Sequence, residues 1–422
     1  MTTAQTTSTT AATKRRRTSR PASAPATLAP SPALKLSLAQ ASFAWALDIV
    51  GHAVASKSTL PVLGNVLLAS ERGRLKLAAT NLEIGIVVRL DATIAQEGGV
   101  AVPARLLTDV VGHLPGTAID LELDVRTQTL GLCCDCFETN IKGIDGEEFP
   151  AIPAIPLSQP IAALPAPQLR QVIDQVVYAA ATDDTRPMLA GVLIRLKGAE
   201  ATFAAADGYR LAVRTIELGE PAAASTEMIV PARALIELAR VLRELEEDEE
   251  VELFATPAGS QLLFHTERVD ITTRTIEGKY PDFERIIPKS CATLAMMNSK
   301  ELAAAVRLAS YFASASANIV RLTIEPGVGE SKGQLTISAN AAEVGDNKGV
   351  VACDVQGAGG QLALNVVFFA ETLQAIKTSS VVMEMQESTR PGVLKPAAIN
   401  TAGHIESIGG QIAIVMPMTV RD

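Results

Sequence analysis

Three cysteines stand close together at Cys133-Cys134-Asp135-Cys136, and such a group raises the question of a zinc site. A structural zinc site takes four ligands, commonly supplied as Cys-x-x-Cys pairs. Neighbouring residues of a strand point to opposite faces, so Cys133 and Cys134 cannot share one metal ion. The sequence near them holds no histidine that would complete the set. We therefore interpret the three as small apolar strand residues, and we expect no metal and no cofactor.

Acidic side chains form two further groups, Asp183-Asp184 and the run Glu246-Glu247-Asp248-Glu249-Glu250. An acidic pair after a helix is weak evidence for a metal site, and a run of five acids is typical of a solvated helix end. The sequence also lacks the GxxxxGK[ST], GxSxG and HExxH motifs of nucleotide-binding and hydrolytic sites. We therefore expect a protein without catalytic residues. The alternative is an α+β enzyme whose site follows none of these motifs.

Basic residues recur on one predicted helix, where Arg233, Glu237, Arg240 and Glu244 share a face. Alternating charges at this spacing are typical of an exposed face with weak ion pairs. The same face, together with Arg243, would also suit contacts with a phosphate backbone. The helix pattern alone favours the ion pairs.

The chain ends in Met416-Pro417-Met418, two adaptable side chains on either side of a proline. Proline ends the pairing of a strand, so the segment fits a strand that leaves its sheet at an edge. Methionines at such a place suit a surface that binds several peptides, but they also suit an ordinary core. The position of the motif does not decide between the two.

These residues are distributed over a chain that repeats itself three times. A strand-like run with a polar break is followed about two dozen residues later by a helix entry, and Val102 and Val230 occupy equivalent places 128 residues apart. A period of this length indicates triplicated domains, which suit a curved scaffold. The three copies of the run and of the helix entry are Leu77–Glu83 and Val102–Arg105, Phe203–Arg210 and Val230–Arg233, and Leu335–Glu343 and Leu364–Val367.

Each copy contains short β-rich runs and two helices, which is an α+β pattern in which helices cover one side of antiparallel sheets. We predict strands that include Val62–Ala69, helices that include Ala104–Leu114 and Ser299–Phe312, and a second-copy helix that begins at Pro231. The proline-rich stretch from Phe149 to Pro156 is predicted to be a linker. The expected division is a disordered basic tail at residues 1–33 and domains at residues 34–156, 157–289 and 290–422.

The net charge of −9 is unevenly distributed. Residues 1–47 carry six basic side chains and no acid, so residues 48–422 carry −15. A body with this charge has a poor basis for holding DNA by phosphate contacts alone. The apolar runs are too short to span a membrane, and the five cysteines without a secretory segment indicate a reducing cytoplasm.

The order and spacing of several segments resemble the bacterial DNA polymerase III beta subunit, the sliding clamp, from about Leu34 onward. The segments that carry the resemblance are Ser58–Asn65, Thr80–Glu83, Val102–Arg105, Asp207–Val213, Gly278–Lys289 and Val415–Met418. The resemblance implies three copies of one α+β domain, with two chains joined head to tail in a ring. Helices would line a central hole for duplex DNA, and antiparallel sheets would form the outside.

The resemblance also implies partners and site residues. The partners are double-stranded DNA held without regard to sequence, the DNA polymerase III alpha subunit, the clamp loader, other proteins with a clamp-binding motif, and a second copy of the chain. Lys57 and Arg105 are candidate DNA contacts by analogy, beside Arg233 and Arg240. The implied partner-peptide pocket between the second and third domains comprises Arg186, Leu189, Ala206, Gly208, Tyr209, Arg210, Leu211, Pro281, Arg285, Ile286, Pro391, Ile414, Met416, Pro417 and Met418.

The chain departs from the family pattern at three places near this pocket. Ala206 stands where threonine is common, Tyr209 where histidine is frequent, and Thr419 where a basic or amide residue often follows. The third copy is the least typical, and the tail before Leu34 has no counterpart. Two alternatives remain open: a specialised clamp that serves repair or plasmid replication, and a clamp-fold scaffold that does not close a ring.

Overall fold

The structure, a computed structural model, describes Thr2 and residues 33–55, 60–153, 159–183, 185–256, 259–328, 331–400 and 404–419. Lys57 and nearly all of the predicted tail lie outside these residues.

The described residues of the first domain form two α-helices, and its strands belong to two sheets. Its strands and helices are β1 (Lys35–Ala39), α1 (Gln40–Gly51), β2 (Asn65–Glu71), β3 (Arg74–Thr80), β4 (Ile84–Asp91), β5 (Thr93–Gln96), β6 (Gly99–Pro103), α2 (Ala104–His113), β7 (Ala118–Asp124), β8 (Thr129–Cys134), β9 (Phe137–Lys142) and β10 (Ile144–Asp145).

The second domain repeats this order. It contains β11 (Ala162–Pro165), α3 (Ala166–Val176), β12 (Gly191–Lys197), β13 (Glu200–Ala206), β14 (Arg210–Glu217), β15 (Thr226–Pro231), α4 (Ala232–Val241), β16 (Glu250–Ala255), β17 (Gln261–His265) and β18 (Val269–Arg274).

The third domain repeats it again with longer central strands. It contains β19 (Thr293–Asn298), α5 (Ser299–Ala313), β20 (Ile319–Glu325), β21 (Gly333–Ala341), β22 (Gly345–Gly357), β23 (Gly360–Asn365), α6 (Val366–Ala375), β24 (Ser380–Met385), β25 (Gly392–Ile399), β26 (Ile405–Ser407) and β27 (Gln411–Val415).

Sheets run without a break from one domain into the next. One sheet has the order β10-β6-β2-β3-β4-β18-β17-β16-β11, so β4 of the first domain pairs with β18 of the second. A longer sheet joins the second and third domains in the same way through β14 and β27. We name these contacts the first joint (β4 with β18) and the second joint (β14 with β27). All of these pairings are antiparallel.

The two helices of each domain pack against each other and against the sheets of their own domain. Apolar faces explain this arrangement, because Leu169, Val172, Ile173 and Val176 recur at helical spacing on α3 and are all buried. One large core spans the first and second domains, and a separate core fills the third. The predicted α+β class with three repeats of one domain is confirmed.

Some element boundaries differ from the predictions. Pro61 opens a 3-10 turn over Pro61–Gly64, so the strand predicted from Val62 begins at Asn65. Pro231 is the last residue of β15 and directly precedes α4. Proline has no backbone N–H for strand pairing and its φ is fixed, so the strand ends there and the helix follows. Helix α4 ends at Val241, so Glu244 lies beyond the helical face on which it was predicted.

The predicted linker is anchored where the structure describes it, up to Pro153. Phe149 is buried in a small cluster with Ala78 of β3 and Val87 of β4, and Ile152 packs against the same cluster. These contacts hold the end of the first domain close to the first joint.

The cysteine group lies at the β8–β9 hairpin. Cys134 is buried and Cys133 is exposed, as the strand alternation predicts, while Cys136 is exposed in the turn. Among the described residues, no group of three or more His, Cys, Asp or Glu side chains is placed to hold a metal ion. No helix in the described part of the chain is long and apolar enough to cross a membrane.

Candidate partner-binding site at the second interdomain joint

The second joint carries an apolar row that runs across four strands. Register pairs Ala206 with Leu211, Leu211 with Ile414, and Ile414 with Val393, so the four side chains point to one face. All four are buried in one cluster, and Leu189 packs against it. The row fixes the second domain to the third through β-branched and aliphatic side chains.

Arg210 stands at the edge of this row with its side chain only 9% exposed. Its Nε donates to Oδ2 of Asp207 at 3.0 Å, and its Nη1 donates to the carboxylate of Glu371 on α6. The guanidinium carbon also lies 4.7 Å from the centre of the Phe368 ring. A buried guanidinium requires such partners because its desolvation is otherwise costly. Arg210 therefore ties the turn before β14 to α6 of the third domain.

The turn that presents Tyr209 is built by Asp207 and Gly208. Oδ1 of Asp207 accepts the amides of Tyr209 and Arg210 at 2.8 and 3.0 Å. Gly208 has a φ of +93°, and a Cβ there would lie 2.9 Å from a guanidinium nitrogen of Arg186. The turn thus requires glycine. It leaves Tyr209 exposed, with its ring stacked on Phe368 at 6.0 Å.

The Met-Pro-Met segment continues from β27 across the same joint. The amide of Met416 donates to the carbonyl of Tyr209 at 2.8 Å, and the amide of Met418 donates to the carbonyl of Ala363 at 2.8 Å. Pro417 forms an isolated bridge with Leu364. Met416 is exposed beside Tyr209, while Pro417 and Met418 are half-buried. The Met416–Met418 segment is therefore held by backbone bonds to both domains.

A third segment closes the cluster from the side of the second domain. Tyr280 is buried, and its hydroxyl accepts the amide of Ala206 at 2.9 Å. Burial raises the pKa of Tyr280 to about 12, so the hydroxyl stays protonated. Pro281 follows it on the surface. The 3-10 turn Phe283–Arg285 comes next, and both Arg285 and the following Ile286 are exposed. Arg285 forms an ion pair with Asp282, with Nε 2.7 Å from Oδ2.

The structure thus brings most of the predicted pocket residues to one joint, with Pro391 directly before the strand that pairs with β27. Their role in partner binding stays a prediction. Four residues of the site were not predicted from the sequence, namely Tyr280, Asp207, Phe368 and Glu371. Tyr280 and Asp207 lie in two of the segments that carry the family resemblance, so their polar groups were available signals. Glu371 lies 161 residues from Arg210, and no local pattern connects them.

The chain matches models of the DNA polymerase III beta subunit along nearly all of its described length. The N-terminal domain model matches residues 34–153, the central domain model residues 163–282, and the C-terminal domain model residues 284–406. The beta sliding clamp of Synechocystis is 31% identical over 382 residues, which cover 86% of this chain and 96% of that protein. The chain belongs to the DNA polymerase III beta subunit family.

Its function is accordingly that of a DNA sliding clamp, a processivity factor in DNA replication. Solved structures agree with the described fold. A sliding clamp from Pseudomonas aeruginosa bound to griselimycin is 27% identical, with a TM-score of 0.80 over 92% of this chain and 100% of that one. The clamp from Bacillus subtilis is 24% identical with a TM-score of 0.83 and the same coverage, which supports the fold alone. The predicted family and function are confirmed.

The predicted DNA contacts of this clamp lie on its helices where the structure describes them. Arg105 is exposed in the first turn of α2, and Arg233 is exposed at the equivalent place on α4. Arg240 binds Glu237 at 2.9 and 3.0 Å, which is the ion pair that the spacing predicted. The six helices α1 to α6 together hold six basic and six acidic residues. The acidic excess of the described chain therefore belongs to its sheets and loops.

Proposed function

We propose that two copies of the chain close into a ring around duplex DNA and tether the replicative polymerase through the second joint. The observation that carries ring closure is a pair of unused strand edges. At each joint, the third strand after the first helix of one domain (β4 or β14) pairs with a strand near the end of the next domain (β18 or β27). The equivalent strands without such a partner are β22, the third strand after α5, and β9, the third strand after α2. Residues 345–352 of β22 pair only with β21, and β9 only with β8, in the described part of the chain.

Pairing β22 of one copy with β9 of another would repeat the joint between chains. Two such contacts close six domains into a twofold ring. Exposed apolar side chains near both edges support this interface. Phe137 on β9 is 52% exposed, and Val350 on β22 is 56% exposed. Helix α5, which packs on β22, adds Leu308 and Tyr311 at 57% and 64%.

Sedimentation velocity tests the ring directly. The wild-type protein should sediment at twice the chain mass of 44.3 kDa at micromolar concentration. Val350→Asp should shift it to the monomer, because a carboxylate would be buried in the interface without a partner. Val328→Asp, at another exposed valine, is the matched control and should leave the dimer intact. A monomer for the wild-type protein would contradict ring closure and favour a scaffold.

We propose that DNA passes along the helical face and is retained by topology. The helices carry no net charge while residues 48–422 carry −15, so the helices are the least repulsive surface for phosphates. Arg105, Arg233 and Arg240 supply transient contacts, with Lys57 as a further candidate. Affinity from phosphate contacts falls by orders of magnitude between about 50 and 200 mM salt. Linkage through a ring is insensitive to salt.

Retention on circular DNA tests this mode. Once loaded on a nicked circle, the clamp should survive a high-salt wash, and a single cut in the circle should release it. Equal retention on circular and linear DNA, with both lost at high salt, would contradict encirclement. The basic residues Lys14–Arg17 and Arg20 would then become the first candidates for DNA contact.

We propose that the second joint receives short peptide motifs of the DNA polymerase III alpha subunit, the clamp loader and other partners. The support is a buried apolar row beside exposed Tyr209 and Met416, with arginine side chains at its margin. Removal of residues 416–422 should abolish binding of a labelled clamp-binding peptide and leave the dimer intact. Unchanged affinity would exclude this joint. We further propose that the protein is not an enzyme and acts in the cytoplasm.

A further inference from the structure

Both joints within the chain use the same strand register. Residues of two domains are equivalent when the antiparallel pairings lead to them from the same helix start, and Val88 of β4 is in this way equivalent to Arg214 of β14. Val269 of β18 is likewise equivalent to Gln411 of β27. Val88 lies opposite Val269 at the first joint, and Arg214 lies opposite Gln411 at the second. A contact between two chains that repeats these joints therefore has a defined register.

This register sets a glycine of one copy opposite a phenylalanine of the other. Gly349 of β22 is equivalent to Val88, and Phe137 of β9 is equivalent to Val269. The chain itself does not require glycine at Gly349, because its φ is not left-handed and a Cβ there would meet, among the described residues, only the Cβ of Ala305 at 3.6 Å. A glycine within a strand often marks the close approach of another group. The ring of Phe137, which is 52% exposed, fits as that group.

Two opposite charges lie next to these residues, on the other face of the same strands. The register places Lys348 of β22 directly opposite Glu138 of β9 in the other copy. Both side chains are exposed, and neither forms an ion pair with another described residue. The first joint already contains such a pair, since Asp270 is equivalent to Glu138 and its Oδ2 lies 2.7 Å from Nη1 of Arg89 in the neighbouring domain. Opposite charges on facing strand residues stabilise the pairing, and like charges weaken it.

We propose that Glu138 of one copy and Lys348 of the other form the ion pair that, together with Phe137 packed on Gly349, determines which edges meet when the ring closes. This inference rests on the proposed ring closure and adds the residues that recognise each other. The fitting partner is a second copy of this chain, because the chain supplies both members of each pair on its two open edges. A closed ring contains each pair twice, so a change in one residue acts on both contacts.

Charge reversal tests the ion pair on the full-length protein, with the dimer Kd measured by fluorescence-detected sedimentation velocity over a dilution series. Glu138→Lys and Lys348→Glu each set like charges opposite each other at both contacts, so each variant alone should weaken the dimer about thirtyfold. An equimolar mixture of the two variants should recover the wild-type affinity, because both contacts of the mixed dimer again join opposite charges. Unchanged affinity of the single variants, or no recovery in the mixture, would overturn the proposal.

Further variants separate this recognition from a general loss of ring closure. Lys197→Glu, at an exposed lysine of β12 in the second domain, should leave the dimer unchanged and should not rescue Glu138→Lys in a mixture. Gly349→Val should weaken the dimer, because its side chain would take the space of Phe137, and wild-type affinity of this variant would contradict the register. A monomeric wild-type protein would overturn the proposed ring itself. A wild-type dimer that tolerates both charge reversals would overturn only the pairing of Glu138 with Lys348.

Discussion

The two interdomain joints share one backbone geometry and differ in the side chains that cross it. Both pair a third strand with the last strand of the next domain in antiparallel register. The second joint has Ala206, Leu211, Ile414 and Val393 in its central row, and the first has Thr80, Gly85, Thr272 and Leu263. The two joints therefore share the pairing of their backbones and differ in the side chains of the central row.

The difference shows how one fold can make two kinds of joint. At the first joint, Gly85 has no side chain, and Ile152 of the linker covers it from the same domain. At the second joint, Leu211 itself fills the equivalent place and reaches residues of the third domain in one cluster. The second joint leaves Tyr209 and Met416 exposed beside its row, and the first joint leaves Leu82 exposed in the equivalent turn.

The largest expected effect comes from making the second joint resemble the first. Ile414→Thr removes buried methyl groups and places a hydroxyl in an apolar row, which should cost about 3 kcal/mol. The midpoint of urea unfolding should fall, and amide exchange of β14 and β27 should accelerate. Ile399→Thr, the same change at an exposed site, should stay within about 0.5 kcal/mol. A small effect of Ile414→Thr would mean that the row does not fix the joint.

Removal of the Arg210 guanidinium should have the next largest effect. Arg210→Met keeps much of the stem and deletes the bonds to Asp207 and Glu371, so the loss should be about 2 kcal/mol. The matched control is Arg285→Met, because the side chain of Arg285 is 85% exposed and its ion pair with Asp282 is worth little. Amide exchange at Tyr209 and Met416 is the local measurement. Equal effects of the two variants would refute the role assigned to Arg210.

Loss of the Tyr280 hydroxyl should cost about 1 kcal/mol, because Tyr280→Phe leaves the buried amide of Ala206 without its acceptor. The wild type also predicts a pH dependence. Burial holds the pKa of Tyr280 at about 12, above the value of about 10 for an unfolded tyrosine. The resulting stability is complete below about pH 10 and is lost as the pH rises to about 12. Urea unfolding of Tyr280→Phe should show a weaker pH dependence in that interval.

The smallest effect is expected at the first joint and has the opposite sign. Thr272→Val removes a buried hydroxyl that has no partner among the described residues, so stability should rise by up to about 1 kcal/mol. Thr273→Val deletes a hydroxyl that donates to the carbonyl of Arg274, and it should destabilise. Urea unfolding of both variants gives the comparison. A loss of stability for Thr272→Val would show that its hydroxyl is satisfied in the free protein.

Much of the fold followed from patterns within short segments. The apolar face of α3, the helix entries at Pro103 and Pro231 and the alternation of Cys133 and Cys134 each depend on neighbours a few residues away. Boundaries were less predictable, as the late start of β2 after Pro61 illustrates. A local pattern indicates which element forms, but tertiary packing decides where it ends.

The sequence by itself determined the three repeats, the α+β class, the family and the segments that form the candidate site. Local periodicity and motif spacing carry this information. Only the tertiary structure decided that Glu371 meets Arg210, that Thr272 faces Gly85 and that Ile152 covers that glycine. These contacts join residues distant in sequence, and their register is set by the packing of whole sheets. For that reason the contrast between a polar and an apolar joint became visible only in the folded chain.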